Sequence, residues 1–356
     1  MSNKLRRGVL CCVLAAAVAL GTAGCADKRD INERAYVLGI GIDSAEDGMY
    51  RFSFCCYLPV SAGASVRGDK LSATVISVEA PSMAVAVREL NKSTSHEAVL
   101  EQLACIAISG YPGCGELARL LEYPARHPQV RRQCAVVACD CSAQELMSAD
   151  PGESAAPVEA ASLLEQQDNS RRQSSSGALY RLTQMLTDGC DLMLFRVSPE
   201  SLSDTVSSGD AHDTLSITGA SVYSGGRLTG TLGHDETELA RLFYDRQTSG
   251  IISVARRDGK VIYYEIKRSC CGIRFDDKPQ PHFLIRLRVE CMLADSGGAD
   301  THTEDEIRRS LEAKLGALIR SSVPESSSCL LRERNLTRRS GPTCTSVKSA
   351  PVKSRA

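Results

Sequence analysis

Apolar and polar residues follow each other in short segments from residue 35 onward. Residues 35–42 form an apolar run that ends at Asp43, which predicts a buried strand. In residues 50–56 the apolar side chains fall at every second position, the pattern of a half-buried strand, and Asp47-Gly48 supplies the turn before it. Further strands are predicted at 71–78, 103–109 and 134–139, and helices after Ser82 (with Met83, Val87 and Leu90 on one face) and at 115–122. This alternation favours an α/β or α+β organisation.

Residues 148–177 differ from the segments on either side. They are rich in Ser, Ala, Glu, Gln and Pro, which indicates a partly helical or mobile connector. A helix is predicted at 179–186, and Pro199 is expected to mark a break after it.

The second half of the chain opens with strand alternation from Thr214. Gly225-Gly226 lies between two apolar runs and predicts a tight hairpin, because glycine adopts positive φ without steric cost. Residues 285–291 show the clearest alternation in the chain, and residues 304–320 form an amphipathic helical pattern. The expected fold class is α+β, with several lobes that each consist of a mixed or antiparallel sheet flanked by helices.

The first 25 residues have the three parts of a lipoprotein signal peptide. Three basic side chains stand among the first seven residues, and residues 9–20 form an uncharged apolar run. This run is shorter than the ~20 residues that a membrane-spanning helix needs. Small residues at 21–24 precede Cys25, an arrangement that resembles a bacterial lipobox with Thr22 where Leu is usual. Cleavage before Cys25 and lipidation of its thiol are expected; the alternative is an ordinary secreted protein cleaved near Ala23.

Composition excludes some classes of function and leaves the cysteines unassigned to any site. A formal net charge of −1 gives no basic field for nucleic acid. The 16 cysteines are scattered through a chain long enough to bury a core, which argues against a disulfide scaffold. Cys134, Cys139 and Cys141 lack the partner ligands of a tetrahedral metal set. We expect most cysteines to be small buried apolar residues, with no metal and no cofactor.

Two stretches after the lipobox carry a resemblance to a known family. Residues 24–33 read GCADKRDINE, and residues 35–43 read AYVLGIGID. This order resembles the mature start of the C subunits of GerA-type spore germinant receptors, the Ger(x)C family, with Ala26 in place of the usual Trp. Residues 90–109 and 218–239 are similar to two later segments of the same family, in the same order and at the same spacing.

The resemblance implies a lipoprotein without enzymatic activity, on the outer face of the spore inner membrane. Such a subunit is anchored by lipid, here on Cys25, and acts with two integral membrane subunits, A and B, in the response to nutrients. The resemblance also implies a structure with three lobes, in which each lobe is a sheet flanked by helices. The implied organisation is a signal peptide at 1–24, an N-terminal germination-protein domain at 25–200, an incomplete C-terminal domain at 201–320, and a tail at 321–356.

The tail departs from the family, whose members continue with a further helix and strand. Residues 321–356 are rich in Ser, Pro and Arg and have no periodicity, so we expect disorder. The abrupt change of composition resembles a frameshift or a truncation, which would remove a strand from the last lobe.

No catalytic residue is expected. The nearest approach to a catalytic pair is His96-Glu97, which is expected to be a solvated polar pair. Asp43 is expected to end its strand and set a turn. Two other classes of protein remain open: a lipid-anchored solute-binding protein, with a ligand cleft between similar lobes, and an envelope hydrolase, with a carboxylate pair in a cleft.

Overall fold

The structure is a computed structural model of the 356-residue chain. It describes most of the chain after residue 32 and four single positions before it. The described residues are 7, 8, 13, 15, 33–58, 73–94, 96–109, 117–152, 154–167, 177–201, 212–242, 250–255, 261–276, 282–295, 304–322 and 343–351.

Fourteen elements from residue 34 to residue 233 form the first lobe, which is a mixed sheet with helices on both faces. In chain order they are β1 (Arg34–Ser44), β2 (Tyr50–Tyr57), β3 (Thr74–Ala80), α1 (Met83–Thr94), β4 (Glu97–Val99), β5 (Cys105–Ser109), α2 (Leu117–Arg126), β6 (Ala135–Cys139), α3 (Ala143–Ser148), α4 (Ala156–Gln167), α5 (Leu179–Thr187), β7 (Leu192–Ser201), β8 (Asp213–Ser224) and β9 (Arg227–Gly233).

The first sheet has nine strands in the order β3-β2-β1-β5-β6-β7-β8-β9, with β4 beside β1. The central strands β1, β5, β6 and β7 are parallel, and β4 also pairs with β1 in parallel, whereas β2, β3, β8 and β9 pair antiparallel. Helices α1, α2 and α5 cover one face, and α3 and α4 cover the other. Because both faces are covered, the central strands are apolar on both sides rather than alternating.

A four-stranded antiparallel sheet forms the second lobe. Its elements are α6 (His234–Arg241), β10 (Ile251–Ala255), β11 (Val261–Asp276), β12 (His282–Asp295), α7 (Glu304–Ser322) and β13 (Thr343–Pro351), with the strands in the order β10-β11-β12-β13. Helix α7 packs on one face of this sheet through Ile307, Leu311 and Leu315, which are all buried. These positions recur every four residues, so they lie on one side of the helix.

The predicted α+β fold class is confirmed, as are the strands that contain 35–42 and 285–291. The hairpin at Gly225-Gly226 is also confirmed, since their φ angles are 56° and 76°. Two local predictions were wrong. Strand β2 is buried on both faces, with Ser53 and Cys55 inside, because α3 packs over the second face. Pro199 does not break the chain.

Pro199 lies inside β7 and faces Leu215 of β8. A proline is tolerated there because β6 no longer lies beside β7 at residue 199. The only β6–β7 register contact is Ala138 with Arg196, three positions earlier. A proline at this position therefore breaks no hydrogen bond to β6.

The end of the chain differs in part from the expectation of disorder. Helix α7 continues to Ser322, and residues 343–351 pair with β12 as an antiparallel strand. The remainder of the tail and the loop at 61–68 lie outside the described residues. The proposed domain boundary after residue 200 stays a prediction, and the first sheet continues past it to residue 233.

Candidate functional site

Cys25, the predicted site of lipid attachment, lies outside the described residues. The first described strand, β1, begins nine positions later at Arg34. Among the helices that the structure describes, none has the length and apolar composition required to cross a bilayer.

The motif Gly39-x-Gly41-x-Asp43 lies along one face of β1, and two helices pack closely against it. A β-carbon at Gly39 would lie 2.3 Å from the side chain of Pro157 in α4. A β-carbon at Gly41 would lie 2.7 Å from the backbone oxygen of Ala143 in α3. Only glycine lets both helices approach the strand this closely, because a real Cβ essentially never sits under 3.0 Å from such atoms.

Asp43, the last residue of the motif, caps the N-terminus of α3, which is distant in sequence. Its Oδ1 accepts a hydrogen bond of 2.7 Å from the N–H of Ala143, and its Oδ2 accepts one of 3.0 Å from the N–H of Gln144. The Ser142 hydroxyl accepts from the N–H of Glu145 at 3.1 Å, so three N-terminal amides of α3 are satisfied by side chains. The expectation that Asp43 sets a turn was therefore wrong.

A second polar junction links the edge of the first sheet to its centre. The guanidinium of Arg196 in β7 forms an ion pair with Asp140 and donates to the carbonyl oxygen of Leu232 in β9 at 2.7 Å. Thr218 in β8 donates to the other oxygen of Asp140 at 2.7 Å. Gly219 is required beside them, since a β-carbon there would lie 2.2 Å from the Leu232 oxygen. Four strand segments are held by this one cluster.

The cysteines behave mainly as buried apolar residues, as expected. The ten whose side chains the structure describes are free thiols, and six of them are buried. Burial raises the pKa of Cys55, Cys56 and Cys134 to about 12, because an apolar environment disfavours the thiolate. These thiols are therefore neutral and inert at physiological pH.

Cys141 differs from the other described thiols. A hydrogen bond from the Cys139 side chain lowers the pKa of Cys141 below its ordinary value, and the same bond raises the pKa of Cys139. Within the described part of the chain, His, Cys, Asp and Glu nowhere form a group of three or more that could hold a metal ion.

His96 and Glu97 lie in the connection between α1 and β4. The Nδ1 of His96 is 2.5 Å from the carbonyl oxygen of Thr94 in the same turn. Glu97 is exposed and begins β4, where it stands in register with Arg34. Local chain geometry places both residues in this connection, with His96 half-buried and Glu97 exposed.

A cavity of about 490 Å³ lies where α4 and α5 meet the starts of β5 and β6. Three arginines reach its lining, and two of them have near partners: Arg181 donates to the Tyr180 hydroxyl, and Arg241 donates to Glu238, each at 2.8 Å. The described residues of the lining include no Asp or Glu, so the carboxylate pair of a hydrolase is not present there.

Two family profiles match the chain, one after the other. The profile described as "Spore germination protein N-terminal domain" matches residues 27–199, and the profile "Spore germination B3/GerAC like, C-terminal" matches residues 218–327. The chain belongs to the Ger(x)C family of spore germination proteins, which includes the C subunits of germinant receptors. The family resemblance drawn from the sequence is confirmed.

The chain is also similar to a solved crystal structure of the GerBC protein. The two are 17% identical, the alignment covers 82% of this chain and 83% of the other, and the TM-score is 0.44. No curated protein matches the sequence.

The sequence singled out the motif but missed its partner helix. Gly39, Gly41 and Asp43 belong to the segment that carries the family resemblance, whereas α3 was not predicted because it is only six residues long. Ser142 followed by Glu145 is the S-x-x-E start signal of a helix and was the available clue. Arg196 carries no comparable signal in the sequence.

Proposed function

We propose that this chain is the lipid-anchored C subunit of a nutrient germinant receptor. In this role a lipid on Cys25 holds it at the outer face of the spore inner membrane, where it acts with two integral membrane subunits by binding rather than by catalysis. The observation that carries the proposal is the match of both germination-protein profiles, in order, to residues 27–199 and 218–327.

The anchor at Cys25 is supported by the order of features at the start of the chain. A basic segment, an apolar run shorter than a bilayer and four small residues lead directly to Cys25. The first family profile begins two residues later, at residue 27, so the lipid would stand at the boundary of the folded family domain. Two or three acyl chains hold a protein firmly, since each buried methylene contributes ~0.8 kcal/mol.

A lipid-anchored solute-binding protein is less well supported. Such a protein needs a cleft between two similar lobes, and the two sheets described here have nine and four strands. The described cavity is lined mainly by residues of the first lobe, with Arg241 of α6 at its edge, and two of its arginines already have partners.

The test is deletion of the gene followed by measurement of spore germination. Spores without the chain should lose the response to the nutrients that their receptor recognises and should keep the response to a non-nutrient trigger. An unchanged response to every nutrient, in a strain without a second copy of the receptor, would refute the proposal. Loss of both responses would also refute it, because the defect would then lie downstream of nutrient sensing.

A further inference from the structure

The four-stranded sheet has one covered face and one open face. Along β12 the residues alternate strictly: Leu287, Val289 and Cys291 are buried under α7, and the residues between them are exposed. In β11, Ile262 and Tyr264 are likewise buried. No described element packs on the opposite side, which we name the open face.

One end of the open face is strongly basic. Its exposed arginines are Arg268, Arg274, Arg286 and Arg288. Strand register sets Arg288 opposite Cys270 and Arg286 opposite Gly272. The two neighbours on β11 are small, and successive outward positions on a strand are about 7 Å apart. Within the described part of the chain, neither of these two arginines has an ion pair.

Few acidic groups offset this charge. Among the described side chains of the open face, five are basic and two are acidic, Glu265 and Glu290. Glu265 is already paired with Lys267 at 2.7 Å. The described side chains of the face therefore carry a net positive charge, on a chain whose formal net charge is −1.

The other end of the open face is apolar and aromatic. Ile251 is 60% exposed, Met292 is 50% exposed and Tyr263 is 44% exposed. Ile251 and Met292 both stand opposite Glu265, on the two strands that flank β11. Of the nine large hydrophobic side chains exposed in the described structure, five lie in this sheet. An apolar patch of this kind marks an interaction surface.

We propose that the open face lies against an anionic lipid bilayer. The basic end complements the negative headgroups, and the apolar end with Tyr263 suits the headgroup boundary, where amphipathic aromatic side chains concentrate. The choice of a bilayer as the occupant rests on the proposed lipid anchor at Cys25, because the anchor keeps this face close to a membrane. The lipid on Cys25 and the open face would then bind the same bilayer from opposite ends of the chain. Once the lipid has inserted, binding of the open face is effectively intramolecular and is therefore favoured.

The test uses the full processed chain with Cys25→Ser, so that no lipid anchor contributes, and vesicles of phosphatidylcholine with or without phosphatidylglycerol. The chain should bind the vesicles that contain phosphatidylglycerol and not the neutral ones, and added salt should release it. Cys270 is an exposed thiol on the open face, and Cys190 is an exposed thiol on the first lobe. Vesicles should slow the reaction of Cys270 with a water-soluble maleimide and leave that of Cys190 unchanged.

The double variant Arg286→Gln with Arg288→Gln should bind anionic vesicles about twenty-fivefold more weakly, since each basic residue at a membrane surface contributes about fivefold. The matched control is Arg119→Gln with Arg126→Gln, which removes the same charge from exposed positions of α2 and should leave binding unchanged.

Equal binding to both kinds of vesicle, equal loss in the control variant, or equal protection of Cys190 would overturn the proposal. Absence of binding would also overturn it and would leave an acidic protein surface as the occupant of the open face. None of these results depends on receptor subunits or on the anchor, so the deletion experiment still decides the proposed function separately.

Discussion

The carboxylate of Asp43 accepts a 2.7 Å hydrogen bond from the backbone N–H of Ala143, one hundred positions later in the chain. This bond fastens the end of the first strand to the start of α3. It gives a physical reason for a Gly-x-Gly-x-Asp pattern at this place: the glycines admit the helix, and the aspartate binds its N-terminal amides. A carboxylate suits that position because the helix dipole is positive there.

Asp43→Ala should lower the free energy of unfolding by about 2 kcal/mol, because a buried cap to two backbone amides is lost. Asp43→Asn retains one acceptor and should cost about half as much. Urea unfolding of the full chain measures both values. Asp47→Asn, an exposed change at the nearby positive-φ turn position, is the control and should stay within ~0.5 kcal/mol of the parent. Equal stability of Asp43→Ala and the parent would contradict the capping role.

Gly41→Ala should destabilise the first lobe by about 1–3 kcal/mol, because its methyl group would meet the Ala143 carbonyl at 2.7 Å and force α3 outward. The comparison is Gly230→Ala in β9, where a β-carbon meets nothing within 4 Å. Thermal unfolding of the two variants side by side separates overpacking from a general effect of alanine in a strand. Equal melting temperatures for the two variants would contradict the close approach of α3 to Gly41.

Arg196→Met should cost about 2–3 kcal/mol, since it removes the guanidinium from Asp140 and from the Leu232 carbonyl in a cluster where Arg196 is only 15% exposed. The contrasting ion pair is Arg51–Glu79, with side chains 47% and 52% exposed, and Arg51→Met should cost under ~1 kcal/mol. A double-mutant cycle of Arg196 with Asp140 measures their coupling. A coupling energy near zero would show that the junction does not hold the strands.

The free energy of unfolding should fall at high pH because the buried thiols stay protonated in the folded state. Burial raises the pKa of Cys134 to about 12, whereas an unfolded thiol titrates near ~8.5. Between these values only the unfolded state loses the proton, so each such thiol lowers the free energy of unfolding by about 1.4 kcal/mol per pH unit. The stabilising contribution is complete below about pH 8.5 and is lost as the pH rises towards 12.

Cys134→Ala should make the pH dependence above about pH 9 shallower by that same slope, measured by urea unfolding under reducing conditions. Val137→Ala removes a buried group without a thiol and should keep the full slope. Parallel pH curves for the parent and Cys134→Ala would exclude this source of alkaline instability.

Local patterns in the sequence predicted the elements that depend on local chemistry. The hairpin at Gly225-Gly226 follows from positive φ, and the buried side of α1 follows from the spacing of Met83, Val87 and Leu90, all of which are buried. The apolar run at 35–42 identified β1, because a strand covered on both faces has no polar side.

Long-range relationships could not be predicted in this way. The partner of Asp43 stands one hundred positions away, and the Arg196 junction joins residues 140, 218 and 232 through strand order alone. Pro199 was misjudged for the same reason, since its tolerance depends on which neighbour β7 has at that point. These features depend on the topology of the sheet, and no short segment of sequence encodes it.

The central claim is a germinant-receptor subunit held to the membrane by lipid on Cys25. The most direct test is the rate of nutrient-triggered germination of spores whose only copy of the chain carries Cys25→Ala, measured beside spores with the unaltered chain and spores with none. The account predicts that the Cys25→Ala spores respond to nutrients as poorly as the deletion spores, while all three strains respond alike to a non-nutrient trigger. A full nutrient response from the Cys25→Ala spores or from the deletion spores would contradict it.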